Sequence, residues 1–347
     1  MRSLAVGYVR VVMLRLILLA LPLAACASPS SPSPWTVADD VRPEFFFADD
    51  VPEDVRVAMA GALDAGIEAW GNYGPIEYWV VGMDVEAAEA LAGRYCDRRV
   101  ARGDMTAQEC ASDVRRRREL RDWAARAAEI EATGQPFLEA GWNGGFEWGL
   151  HQFSSSLPPG WAGLADVRIE DDQTVLLHEY FHAVQQSHVT TLDWEARQRL
   201  MGPVWFVEGA AEYMAQTTGE ALRRAGRLPT DPRFPGDPWR ARDRMEQKLR
   251  SGLALRAERP GLALGEVDYG PDGQMAYDLG AWAIAWLCHR AGPDVLIERF
   301  YPAVEALGWE AAFGEAFGLT PAAFYAEFDR FLELDRAQQL AILAAAS

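Results

Sequence analysis

Two histidines, His178 and His182, stand four residues apart with Glu179 beside the first, in the run TVLLHEYFHAVQQ over residues 174–186. On an α-helix such a pair lies one above the other on a single face, so both imidazoles can aim a nitrogen at one point. Neutral imidazoles are good ligands for a divalent transition metal, and zinc is the usual one. Glu179 is rotated about 100° from His178, so it flanks the metal without binding it. A general base must sit there to take a proton from an activated water. The chain has only five histidines. Two of them at ligand spacing, within the helical apolar pattern of Val175, Leu176, Leu177, Phe181 and Val184, argue against incidental core histidines.

A second run, PVWFVEGAAEYMAQ over residues 203–216, reads as a helix with Glu208 and Glu212 on one face. The small residues Gly209, Ala210, Ala211 and Ala215 around them allow another helix to approach closely. A carboxylate at Glu208 can then reach the metal as third ligand. Glu212, one turn on, can accept from the far nitrogen of a ligating histidine and fix its tautomer. A competing third ligand is His188, ten residues after His178. That spacing belongs to the metzincin motif, but Gln185 stands where the motif needs a turn-forming Gly. The sequence therefore favours Glu208 and leaves His188 as an exposed residue at the helix end.

Together, His178-Glu179-Tyr180-Phe181-His182 and Trp205-Phe206-Val207-Glu208-Gly209-Ala210-Ala211-Glu212-Tyr213 resemble the gluzincin metallopeptidases, and within them the aminopeptidase-like peptidase MA group. The resemblance covers roughly residues 135–335. It implies zinc on His178, His182 and Glu208, with Glu179 as base. It implies an α+β, thermolysin/aminopeptidase-like zincin fold: a small mixed-sheet α/β lobe over residues 41–170, then a mainly helical zinc-binding lobe over 171–347, the active-site helix between them. It also implies that Tyr277, in Tyr277-x-x-Gly280, donates to the oxyanion of the tetrahedral intermediate. An edge strand within 134–169 would line the cleft and pair with the substrate backbone. Gly144 to Trp148 faintly echoes the motif that holds a substrate's free N-terminus, which would make Glu147 the amine ligand. Phe146 and Trp148 depart from it, so a Gly turn entering a strand is the favoured reading.

The elements that must position these residues follow from periodicity. Helices are expected over 53–70, 172–187, 203–225, 239–255 and 274–290, with Asp171 or Asp172 capping the metal helix. Residues 84–132 read as two helices broken near Gly103. Strands are expected over 76–81, 145–153 and 165–169.

The chain of 347 residues is half apolar, so a sizeable core can be buried, and its net charge of -18 argues against nucleic acid as partner. Arg supplies nearly all its positive charge, with Lys248 the one lysine. Residues 1–25 carry Arg2, Arg10 and Arg15 before an apolar run and read as a signal peptide. Leu23-Ala24-Ala25-Cys26 resembles the bacterial lipobox, which implies lipidation of Cys26. A Ser/Pro-rich tether over 26–40 follows. These segments predict an envelope lipoprotein, membrane-anchored and facing outside the cytoplasm. In that oxidising compartment Cys96 and Cys110, in adjoining helical stretches, are expected to form a disulfide, and Cys288 to be a buried thiol. The expected function is zinc-dependent hydrolysis of a peptide or protein substrate by a Glu-assisted mechanism. The alternatives are a non-catalytic zinc-fold binding or scaffold module and a zinc hydrolase of a non-peptide amide.

Overall fold

The computed structural model describes residues 42–135 and 144–345, all within one compact unit. Residues 1–25, Cys26 and the tether 26–40 lie outside the described residues. No described helix is long and apolar enough to cross a membrane.

Strand β1 (Glu44–Phe47) leads through α1 (Glu53–Trp70) to β2 (Ile76–Val80). Three helices, α2 (Val85–Arg102), α3 (Ala107–Ser112) and α4 (Val114–Thr133), intervene before β3 (His151–Ser155). The expected break at Gly103 ends α2 in a left-handed residue, φ 76°, but two helices follow it rather than one. Cys96 and Cys110 form a disulfide joining α2 to α3, with Cα atoms 5.6 Å apart.

The three strands pair in the order β1-β2-β3, and both pairings are parallel. The expected mixed sheet is therefore corrected: each connection carries helices that return the chain to the same end, which makes neighbours parallel. The antiparallel contact among the described residues is a single bridge from Gly144 to Gln152. As in other helix-covered parallel sheets, β2 and β3 are buried along their whole length. The strand expected over 145–153 begins only at His151, because Gly145 (φ 84°) and Gly149 (φ 70°) close a tight turn around Phe146–Trp148. The strand expected over 165–169 is absent. Ala165 has φ 50° and the next helix starts at Ile169.

From there the described chain is helix and loop: α5 (Ile169–Ser187), α6 (Trp194–Met201), α7 (Val204–Arg224), α8 (Ala241–Glu258) and α9 (Gln274–Ala291), followed by α10 (Tyr301–Leu307), α11 (Trp309–Phe317), α12 (Pro321–Leu332) and α13 (Arg336–Ala341). Helix α9 is buried on nearly every face, as its apolar sequence predicts.

Helix α5 lies between α1 and α7. On one side Gly66 of α1 admits Leu177 and Tyr180, and Trp70 stacks on Tyr180 and meets Phe181 edge-on. On the other, α7 runs antiparallel to α5. Gln185 bonds the carbonyl of Val207 at one end, and Gln173 accepts from Arg223 at the other. Asp171 and Asp172 do not cap α5, which starts earlier than expected. Its first amide, Ile169 N–H, donates to Asp231, while Asp171 pairs with Arg244 and Asp172 accepts from the Trp161 amide.

Helix α7 in turn meets α9 through glycine. A Cβ on Gly209 would stand 2.2 Å from the Gly280 carbonyl carbon, and one on Gly280 would stand 2.4 Å from the Trp205 oxygen. The two backbones are thus in contact, which sets Glu208 and Tyr277 on facing turns.

Candidate metal centre

His178, His182 and Glu208 converge. The Nε2 atoms of the two histidines are 3.1 Å apart, and Glu208 Oε2 lies 3.3 Å from the first and 3.4 Å from the second. Among the described residues this is the one group of three or more His, Cys, Asp or Glu side chains placed to share an ion. The near-equilateral triangle can be tested against a metal. Donors on a tetrahedral zinc with bonds of about 2.0–2.1 Å stand about 3.3 Å apart. Two imidazoles and one carboxylate also suit zinc chemically, and three protein donors leave a fourth position open. The residues present fit the ion.

The electrostatics follow from burial and close opposite charge. Burial raises the Glu208 carboxyl pKa, but His182 and His178 override it and hold the group well below the carboxylate range. Conversely, burial lowers His182, but the Glu208 carboxylate outweighs it and the imidazole is raised to about 9. A ligating imidazole is neutral, so cation uptake here releases that proton. Glu179 lines the same cleft and is 8% exposed. Burial raises its pKa, against the pull of both histidines. It thereby gains basicity, which favours accepting a proton.

The outer partners fix the triangle. Gln185 is 1% exposed and its Oε1 lies 2.7 Å from His182 Nδ1, while its Nε2 donates to the Val207 carbonyl at 2.8 Å and to the Tyr301 hydroxyl at 3.0 Å. With both amide hydrogens committed, the amide oxygen faces His182, so Nδ1 carries the hydrogen and Nε2 is free to ligate. Glu208 Oε1 accepts from the Tyr269 hydroxyl at 2.5 Å, which leaves Oε2 to the imidazoles. Glu212 faces His178, with Oε1 3.6 Å from Nδ1. Lys248 Nζ holds its other oxygen at 3.0 Å and Asp278 at 3.5 Å. Tyr277 lies with its ring nearly parallel to His178, centroids 6.1 Å apart. Burial and then the Glu208 and Glu179 carboxylates push its phenol pKa upward, so it stays protonated and able to donate.

Other expected residues fall elsewhere. His188 is not exposed. It packs against the Tyr73 and Tyr301 rings, 5.5 and 6.0 Å away, and burial lowers its pKa to about 4. Glu147 is exposed and outside the cleft, which Phe146 lines instead. The expected cleft-lining edge strand is also corrected. β3 is at the sheet edge, but its five residues are buried and none lines the cleft. Cys288 is a buried free thiol, its pKa pushed up to about 12 by burial.

Sequence reasoning missed Gln185, Tyr269 and Lys248. Gln185 had a signal: three residues after His182, it shares that histidine's face. Lys248 had one as the chain's single lysine. Tyr269, in the loop before α9, had none.

The centre opens into a cleft of about 1100 Å³. No protein-family model matches the chain, and no curated protein or solved structure matches it at a significant level. What it does has to be argued from the site itself.

Proposed function

We propose that the chain is a zinc-dependent peptidase of the gluzincin type, with the thermolysin/aminopeptidase-like arrangement that its motifs resemble. The observation that carries this reading is the His178–His182–Glu208 triangle, of zinc dimensions, with the buried Glu179 beside it in an open cleft. His178, His182 and Glu208 would hold the zinc ion, which would supply Lewis-acid chemistry to the scissile carbonyl and the attacking water. Glu179 takes the proton of the attacking water and passes it to the departing amine. Tyr277 donates its phenol hydrogen where the carbonyl oxygen gains charge. Gln185, Tyr269 and the Lys248–Glu212 pair hold the donors in orientation. A lipid-anchored envelope location is part of the proposal and rests on the sequence of residues 1–40 alone.

Glu179→Gln tests it. The variant should retain one zinc per chain by elemental analysis and lose hydrolysis of a peptide mixture by about 10²–10⁴-fold, the usual contribution of a positioned base. Hydrolysis at the parent rate would overturn the assignment of the base.

A further inference from the structure

We infer that the cleft acts on the interior of an extended polypeptide lying across the metal centre, with a large apolar side chain received at the Trp194 end; this rests on the peptidase reading above.

The length and position of the cleft carry the first half. One stripe of α5 lines it, through Asp171, Thr174, Val175, His178, His182 and Gln186. At the helical rise, Asp171 to Gln186 spans about 22 Å. An extended chain advances about 3.3 Å per residue, so about six residues fit. The two histidines fall inside this span, and from the midpoint between them about 13 Å extends to the Asp171 end and about 9 Å to the Gln186 end. Exposed residues stand at both ends, Gln247 at one and Trp194 and Gln198 at the other. A site built for a chain terminus would instead end beside the metal, at a carboxylate free to take the α-amine. Three of the cleft's other carboxylates are paired with cations. Arg244 holds Asp171 at 2.7 Å, and Lys248 holds Glu212 at 3.0 Å and Asp278 at 3.5 Å. Asp268 is exposed and accepts from the Tyr269 amide.

The antiparallel packing of α5 and α7 orders the walls and carries the second half. The Gln185 end meets the start of α7, where Val204 and Val207 line the cleft with Trp194 and Met201 of α6 and Phe146. The opposite end is polar, with Gln216, Gln247, Lys248 and Ser251. Trp194 is 62% exposed inside this cleft, so it has apolar surface to bury against a substrate.

The test uses the zinc-loaded full chain and peptides of about eight residues, long enough to span the cleft. Phe or Ala occupies each internal position in turn, and each peptide is made with free termini and with acetylated, amidated termini. Blocked peptides should be cut at an internal bond at rates within about threefold of the free ones, less than one side chain's pocket contact is worth. Phe should be preferred at one position beside the cut, and Trp194→Ala should reduce that preference about tenfold, the scale of one apolar pocket contact. Calorimetry gives a readout apart from turnover. The blocked Phe peptide should bind Glu179→Gln, and adding Trp194→Ala should weaken that binding about tenfold. Cleavage confined to free N-termini, one residue at a time, overturns the inference and leaves a peptidase standing. An unchanged Phe preference in Trp194→Ala overturns the apolar subsite. No cleavage of any peptide overturns the peptidase reading and this inference with it.

Discussion

Replacing Gly209 with Ala adds one methyl at the contact between α7 and α9. That carbon would stand 2.2, 2.5 and 2.7 Å from the carbonyl carbon, oxygen and Cα of Gly280. Unbonded carbons approach to about 3.5–4.0 Å, so the helices must separate by about 1.5 Å. All three obstacles are backbone, so no side chain can turn away. Overpacking of this kind costs about 1–3 kcal/mol, and the gain from Ala in a helix recovers at most about 1. A net loss of up to about 2 kcal/mol in a domain of this size lowers Tm by up to roughly 5 °C. The same displacement reaches Glu208, one residue away, whereas metal donors tolerate only about 0.2 Å. Zinc affinity should therefore fall by at least about tenfold, as when a ligand's support is lost. Thermal unfolding by circular dichroism and zinc competition against a chromophoric chelator measure the two effects. Gly61 provides the control: it lies in the middle of α1 with nothing within 4 Å of an added Cβ. Gly61→Ala should stabilise by about 0.5–1 kcal/mol. Gly209→Ala with the Tm and zinc affinity of the parent would refute the backbone-contact argument, and equal losses in both variants would refute the distinction between the sites.

Two further outcomes are expected. Gln185→Leu removes the acceptor for His182 Nδ1 and the donor to Val207 and Tyr301. Zinc should bind about 10–100-fold more weakly in the chelator competition, and unchanged affinity would remove Gln185 from the centre. Burial lowers the pKa of His188 to about 4 and that of His151 to about 3. Both imidazoles charge near pH 6.5 in the unfolded chain, which therefore binds more protons below that pH. Stability should fall as pH drops from about 6.5 towards 4, and His188→Phe should make the fall shallower. Parallel stability curves for parent and variant across that range, by urea unfolding, would count against it.

What could be read from the chain alone divides by the range of the interaction. His178 and His182 share a face because helix geometry is local, and α1 runs over the predicted Glu53–Trp70 for the same reason. Glu208 was readable because small residues around it signal close helix approach. The partners that finish the centre were not, because their roles depend on distant chain. Gln185 acts through Tyr301, 116 residues on, and Tyr269 reaches Glu208 across 61. The direction of strand pairing was equally hidden, since the helical connections decide it rather than the strands' own residues. Helix α5 starts early because Asp231, 62 residues later, takes its first amide.

The chain's single lysine lies in the wall of the cleft, 17% exposed and clasped between Glu212 and Asp278. No other side chain in the protein offers a primary amine, so acylating or cross-linking reagents that seek ε-amines have one target, and it reports on the groove beside the metal triangle. A small amine-directed label becomes, on this protein, a gauge of how often that wall opens and whether a ligand shields it.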